Sequence, residues 1–121
     1  MKKVFSLKGS KRFGEVYQKG KRYQKRGIQI IVLRREEETQ TDSSVKMGIS
    51  IGKRYGKAYK RNIAKRQVRA IWRENLKNMK SGFYIIVRSG ETSNTLGYHE
   101  KKAILLELLR RAGVLLYDGS L

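Results

Sequence analysis

The chain has no cysteine, no proline, one histidine and only ten acidic residues among its 121. Each shortage removes a class of chemistry. Without cysteine there is no disulfide framework, no thiolate metal site and no sulfur nucleophile. Without proline, turns rest on glycine, asparagine and serine. The lone histidine, His99, stands beside Glu100 at the start of a helical pattern and reads as a surface or capping residue rather than a general base. No Ser, His and Asp set is legible, and the acids do not converge as paired-carboxylate or metal sites require. No catalytic residue and no metal ligand is therefore expected in the protein. Apolar runs are as short as residues 30–33, far below the roughly 20 residues of a membrane span. Residues 1–7 show no secretory signal pattern, so the cytosol, and a cytoplasmic protein, is the expectation.

What is abundant is positive charge. Lys and Arg number 29, the formal net charge is +19 and the isoelectric point is near 10.5. A chain of this length makes one domain, 1–121, with an ordered core over roughly 7–113. Its charge points to a nucleic acid rather than a small-molecule substrate, and no apolar face or run suits a membrane partner.

The charge peaks in residues 53–73, KRYGKAYKRNIAKRQVRAIWR, which hold nine basic residues and no acid. At about 100° per residue, Arg61, Lys65 and Arg69 form a stripe, with Asn62, Arg66 and Arg73 beside it. Ala64, Val68, Ile71, Trp72, Leu76 and Met79 form the apolar flank. A helix with a core side and a cationic side follows. Like charges at i, i+4 cost a few tenths of a kcal/mol per pair, a cost that a polyanion would remove. Ahead of the helix, Lys53, Arg54 and Lys57 extend the charge, and Gly52 and Gly56 allow a bend where phosphate can approach the backbone. There is no P-loop ending.

The rest of the chain reads as support. Ser10 and Gly20 bracket a short helix as N-cap and C′ residue, with Phe13, Val16 and Tyr17 on one face. That face suits core packing and base stacking about equally. Residues 21–26 read as an irregular basic lead-in. Residues 28–34, IQIIVLR, read as a strand with Ile28, Ile30 and Val32 on one face and Gln29, Ile31 and Leu33 on the other. The polar run 35–44 carries four of the ten acids and reads as an exposed link between antiparallel strands, aimed away from any polyanion. Residues 45–51 alternate, with Val45, Met47, Ile49 and Ile51 in and Lys46, Gly48 and Ser50 out. Residues 83–88, FYIIVR, read as a central strand, which completes a βαβ unit. A polar loop, 89–97, leads to a helix over 98–112 with Ala103, Ile104, Leu105, Leu108 and Leu109 inward and Gly113 as its stop. Residues 114–121 read as a loose tail, apart from packing by Leu115 and Leu116.

The segment KRNIAKRQVR at 60–69, preceded by GISIGKRYGKAY and by LKGSKRFGEVYQKG from residue 7, resembles the protein subunit of bacterial ribonuclease P over about 7–113. The resemblance implies an α+β sandwich of order αβ(β)αβα. Its mixed sheet would have about four strands and a left-handed βαβ crossover, as in the second domain of a small-subunit ribosomal protein. It also implies an RNA subunit as the catalyst of an endoribonuclease that removes the 5′ leader of precursor tRNA. Magnesium would be bound mainly by that RNA and not tightly by the protein. The protein would grip the RNA subunit and the leader, broaden substrate use and lower the magnesium requirement. On this chain the RNA-binding role falls on Lys53, Arg54, Lys57, Arg61, Asn62, Lys65, Arg66, Arg69 and Arg73. The leader cleft falls on Phe13, Tyr17, Gln29 and Ile31. The chain departs from the family's pattern at Ile63, where an arginine is common, at Ala64, where an aliphatic residue is common, and at Gln29. Two other readings remain: a ribosomal-type RNA-binding protein without an enzyme role, and a nuclease that needs no RNA.

Overall fold

The structure, a computed structural model, describes residues 7, 10–34, 46–80 and 82–116. Its elements are α1 (Ser10–Lys19), β1 (Lys21–Lys25), β2 (Ile28–Arg34), β3 (Lys46–Ile51), α2 (Ala58–Asn75), β4 (Phe83–Ser89) and α3 (Tyr98–Arg111). The four strands form one sheet in the order β1-β2-β4-β3. β1 and β4 run antiparallel to β2, and β3 runs parallel to β4 with α2 as the crossover. The segment 35–44 lies outside the described residues. The strands it joins are not neighbours, because β4 inserts between them.

The lead-in 21–26 is not irregular: Lys21–Lys25 is an edge strand. Arg26 and Gly27 form its turn with φ of 50° and 86°, the paired left-handed conformation of a two-residue hairpin. Alternating Lys21, Tyr23 and Lys25 made the segment look like solvated chain. Basic side chains on an edge are instead how a sheet discourages further strand pairing.

The alternation in β2 sorts the core into two layers. Ile28, Ile30 and Val32 join Ile85, Val87, Met47, Val68, Ile71, Trp72, Leu105, Leu108 and Leu109 in the larger cluster, between the sheet and α2 with α3. On the other face, Ile31 and Ile86 meet Val16 and Leu7, with Phe13, Tyr17, Leu33 and Tyr84 around them. Full burial of each such aliphatic side chain contributes roughly 1.5–3 kcal/mol, so both faces of the central strands hold the fold.

Several boundaries and faces differ from the sequence reading. Gly48 is buried rather than outward, because α1 covers that face; a Cβ there would lie 2.3 Å from the Phe13 ring. Val45 lies outside the described residues. Gly20 does follow α1, but through close approach: a Cβ would meet Ile31 Cγ2 and the Val16 carbonyl at 2.7 Å. α1 begins at Ser10 itself. The basic stretch is not one helix, since a 3₁₀ turn at Lys53–Tyr55 precedes α2. Met79 lies beyond the helix end and is buried through a bridge to Leu115. In α3, Ala103 is exposed and Lys101 is buried in its stead. Gly113, with φ 76°, ends α3 as expected. The chain after it is not loose: Val114 is fully buried, and the Lys80 and Leu116 N–H groups donate at 2.7 Å to Val114 and Asn78. Leu116 stays largely exposed, and residues 117–121 lie outside the described residues.

Candidate nucleic-acid interface

Two surfaces meet at the end of β3. The first is α2. Ala64, Val68, Ile71 and Trp72 are its buried residues, which orients the helix with Asn62, Arg66, Arg69 and Arg73 fully outward. Arg61 and Lys65 are only half exposed. The stripe drifts about 40° at each i, i+4 step, so its row begins at the seam with the core and climbs away from it. Arg61 uses one guanidinium N–H at 2.7 Å on the Gly56 carbonyl and thereby braces the turn before its own helix.

That turn is fixed from behind. Tyr55 is buried, its carbonyl accepts from Asn94 Nδ2 at 3.0 Å and its hydroxyl from Lys101 Nζ at 2.5 Å. Lys53 and Arg54 are thus held outward at the mouth of α2, and Lys57 is its N-cap residue without a side-chain hydrogen bond to the helix. α2 has no acid in its first turn. Cations at a helix N-terminus oppose the macrodipole, and an anion there is favoured by both.

The second surface is the part of the sheet that α1 leaves open. Strand register places Gln24, Gln29, Arg88 and Ser50 in one row across all four strands. Gln29 Nε2 donates to Gln24 Oε1 at 3.2 Å, and Arg88 donates to Gln29 Oε1 at 3.2 Å. The neighbouring row on the same face, Arg22, Ile31, Ile86 and Gly48, lies under α1. The polar row floors a groove of about 680 Å³ that reaches Gly52, Gly90 and Thr92 and so opens onto the turn before α2. Tyr17 borders it, with the Arg22 and Arg88 guanidinium carbons each 5.8 Å from its ring centroid.

Of the cleft residues expected from sequence, Gln29 lines this groove and Tyr17 stands at its lip. Ile31 does not: it is fully buried, one register row beneath α1. Phe13 is half buried and packs onto Gly48. The sequence reading missed Arg88, Gln24 and Ser50. Arg88 had a signal, as the one charge in FYIIVR, but its place beside Gln29 is a fact of register.

Among the described residues, two paired acids lie around α3. Glu107 pairs with Lys25 at 2.5 Å and Arg111 at 2.7 Å, and Glu74 pairs with Lys102 at 2.9 Å. Hydrogen bonds from Lys25 and then Arg111 hold the Glu107 carboxyl below its ordinary value. The Lys102 hydrogen bond lowers Glu74, and the same bond raises Lys102. Exposed His99 packs edge-on against Tyr98, and Glu100 accepts from the Gly97 N–H at 2.9 Å. Among the described residues no three His, Cys, Asp or Glu side chains come together as a metal site, and no helix is long and apolar enough to cross a membrane.

These features define a small basic α+β protein whose cationic helix face carries no acid of its own and leads, through the turn at Gly52, to an open polar sheet groove. The ribonuclease P family model matches residues 1–113, and the chain belongs to that family. It is 35% identical to the ribonuclease P protein component of a Geobacillus species, over 98% of both chains. It is 32% identical to that of Symbiobacterium thermophilum, over 98% of this chain and all of the relative. A Staphylococcus aureus RNase P protein mutant superposes with TM-score 0.85 at 23% identity, over 95% of this chain and 93% of that one. The Thermotoga maritima RNase P protein superposes with TM-score 0.76 at 25% identity, over 88% and 96%.

Proposed function

We propose that this protein binds the catalytic RNA of ribonuclease P through α2 and the 5′ leader of precursor tRNA through the sheet groove. The observation that carries the reading is the outward face of α2, where Asn62, Arg66 and Arg69 meet no acid among the described residues, joined through the turn at Gly52 to a groove lined by the Gln24 and Gln29 amides and by Lys25, Arg26 and Arg88. Each phosphate gripped there releases condensed counterions, so affinity falls steeply with salt. The groove suits single-stranded RNA: amides and Arg88 serve unpaired base edges, and the Tyr17 ring offers a stacking surface. In this reading the RNA subunit performs the cleavage and holds the magnesium. The protein supplies charge and grip, extends substrate use and lowers the magnesium requirement.

Reconstitution with a ribonuclease P RNA at low magnesium tests it. The protein is expected to restore turnover of precursor tRNA, and precursor is expected to outcompete mature tRNA for the complex. Equal competition by the two would remove the leader-binding role and leave a ribosomal-type RNA-binding protein. Cleavage by the protein with all RNA removed would overturn the division of labour.

A further inference from the structure

Lys101 is 3% exposed, on the side of α3 that meets the start of α2. Its ammonium donates to the Tyr55 hydroxyl at 2.5 Å and to Gln67 Oε1 at 2.7 Å, and no carboxylate meets it among the described residues. An ammonium has three hydrogens, so one is unspent, and a buried cation without a counter-charge is costly. Over it opens a cavity of about 170 Å³, lined in part by Tyr59, Ile63, Gln67, Asn94 and Lys101. Tyr59 is 61% exposed and Ile63 is 45% exposed, one helical turn apart and beside Asn62 and Arg66 on the outward face of α2. The cavity therefore has an aromatic and aliphatic rim, a cationic floor and the RNA face as its doorstep.

Its size falls below the roughly 300 Å³ at which sites for drug-sized molecules begin, and it suits a single planar base. At the floor, Gln67 has given its oxygen to Lys101, so its amide NH₂ and the unspent ammonium hydrogen are both donors. They match an edge with two adjacent acceptors. Guanine presents O6 and N7 in that arrangement, whereas adenine and cytosine place an amino donor on the corresponding edge, and cytosine's own acceptor pair, O2 and N3, belongs to a smaller ring with less surface to stack on Tyr59. We propose that this cavity receives one unstacked guanine of the bound RNA, stacked on Tyr59 beside Ile63, with O6 and N7 facing Lys101 and Gln67. The inference rests on α2 facing RNA and adds a base-specific contact to that face.

The test uses the full chain assembled on ribonuclease P RNA, with methylation of guanine N7 by dimethyl sulfate mapped along the RNA and affinity measured beside it. Wild-type protein is expected to protect one guanine that Tyr59→Ala and Lys101→Met each release, with binding weakened about tenfold for the lost stack. Tyr59 is exposed, so its truncation leaves the fold in place even if the buried Lys101 variant unfolds. An unchanged N7 pattern in Tyr59→Ala, while Arg66→Ala still weakens binding, overturns the inference alone. Release by Tyr59→Ala but not by a folded Lys101→Met overturns the contact of O6 and N7 with Lys101 and Gln67. Unweakened binding in Arg66→Ala overturns the RNA-facing reading of α2 and this inference with it.

Discussion

Where α3 meets β1 and α2, Lys25 and Arg111 close on Glu107, and Lys102 closes on Glu74, at 2.5 to 2.9 Å. On the outward face of α2, Arg66 and Arg69 meet no carboxylate among the described residues. The two regions use the same cations on the same kind of scaffold. In the first, charge is consumed within the molecule, and exposed pairs of that sort contribute little to stability. In the second, charge is left unspent at a small cost in folding, and that cost is recovered only when an anion arrives. Among the described residues, the proposed binding surface and the bland surface are thus distinguished by which cations meet an acid, not by how many lysines and arginines each holds.

The comparison can be broken first at its support. Trp72 is fully buried on the core face of α2, and its indole N–H has no partner among the described residues. Trp72→Ala is expected to cost about 3–5 kcal/mol in chemical denaturation and to abolish both surfaces together. Trp72→Phe should cost much less, since it also removes an unsatisfied donor. Next, Arg66→Ala with Arg69→Ala should take about two units from the salt slope of RNA binding, with the thermal midpoint unchanged or slightly raised. The matched pair Lys102→Ala with Arg111→Ala, both paired with acids outside the groove, should leave that slope alone. If both pairs shift it equally, the contrast between the two regions is void.

A subtler test lies in the groove. Tyr17→Ala is expected to weaken leader binding by about 1–3 kcal/mol in competition of precursor against mature tRNA, the value of a lost base stack. Equal loss for both RNAs would return Tyr17 to the core beside Val16. The smallest effect concerns Glu107. Its carboxyl is lowered by Lys25 and Arg111, so its contribution to stability is present above the ordinary carboxylate range and is lost as pH falls through its own lower value. Glu107→Gln should therefore lower the thermal midpoint slightly at neutral pH and converge with wild type in acid.

What could be read from the chain alone was whatever depends on local period and charge. The alternation of IQIIVLR sorted β2 onto two faces, the wheel of α2 separated Val68, Ile71 and Trp72 from Asn62, Arg66 and Arg69, and Gly113 ended α3. Those readings hold because each side chain's direction follows from its own backbone period. The basic edge strand Lys21–Lys25 was missed because charge at a sheet edge looks like charge in solvent. The inward turn of Lys101 was missed because the partners that hold it, Tyr55 and Gln67, are remote in sequence.

The sequence by itself determined a strongly basic α+β chain and the cationic helix, since an acid-free run beside an apolar stripe has few other uses. Only the tertiary structure decided which residues share a groove. Insertion of β4 between β2 and β3 sets Arg88 beside Gln29 and Ser50, and α1 buries Ile31 one row away while leaving that polar row open. Strand register is fixed by packing against remote residues, so a side chain two positions along the same strand face can be core or site according to where the covering helix ends.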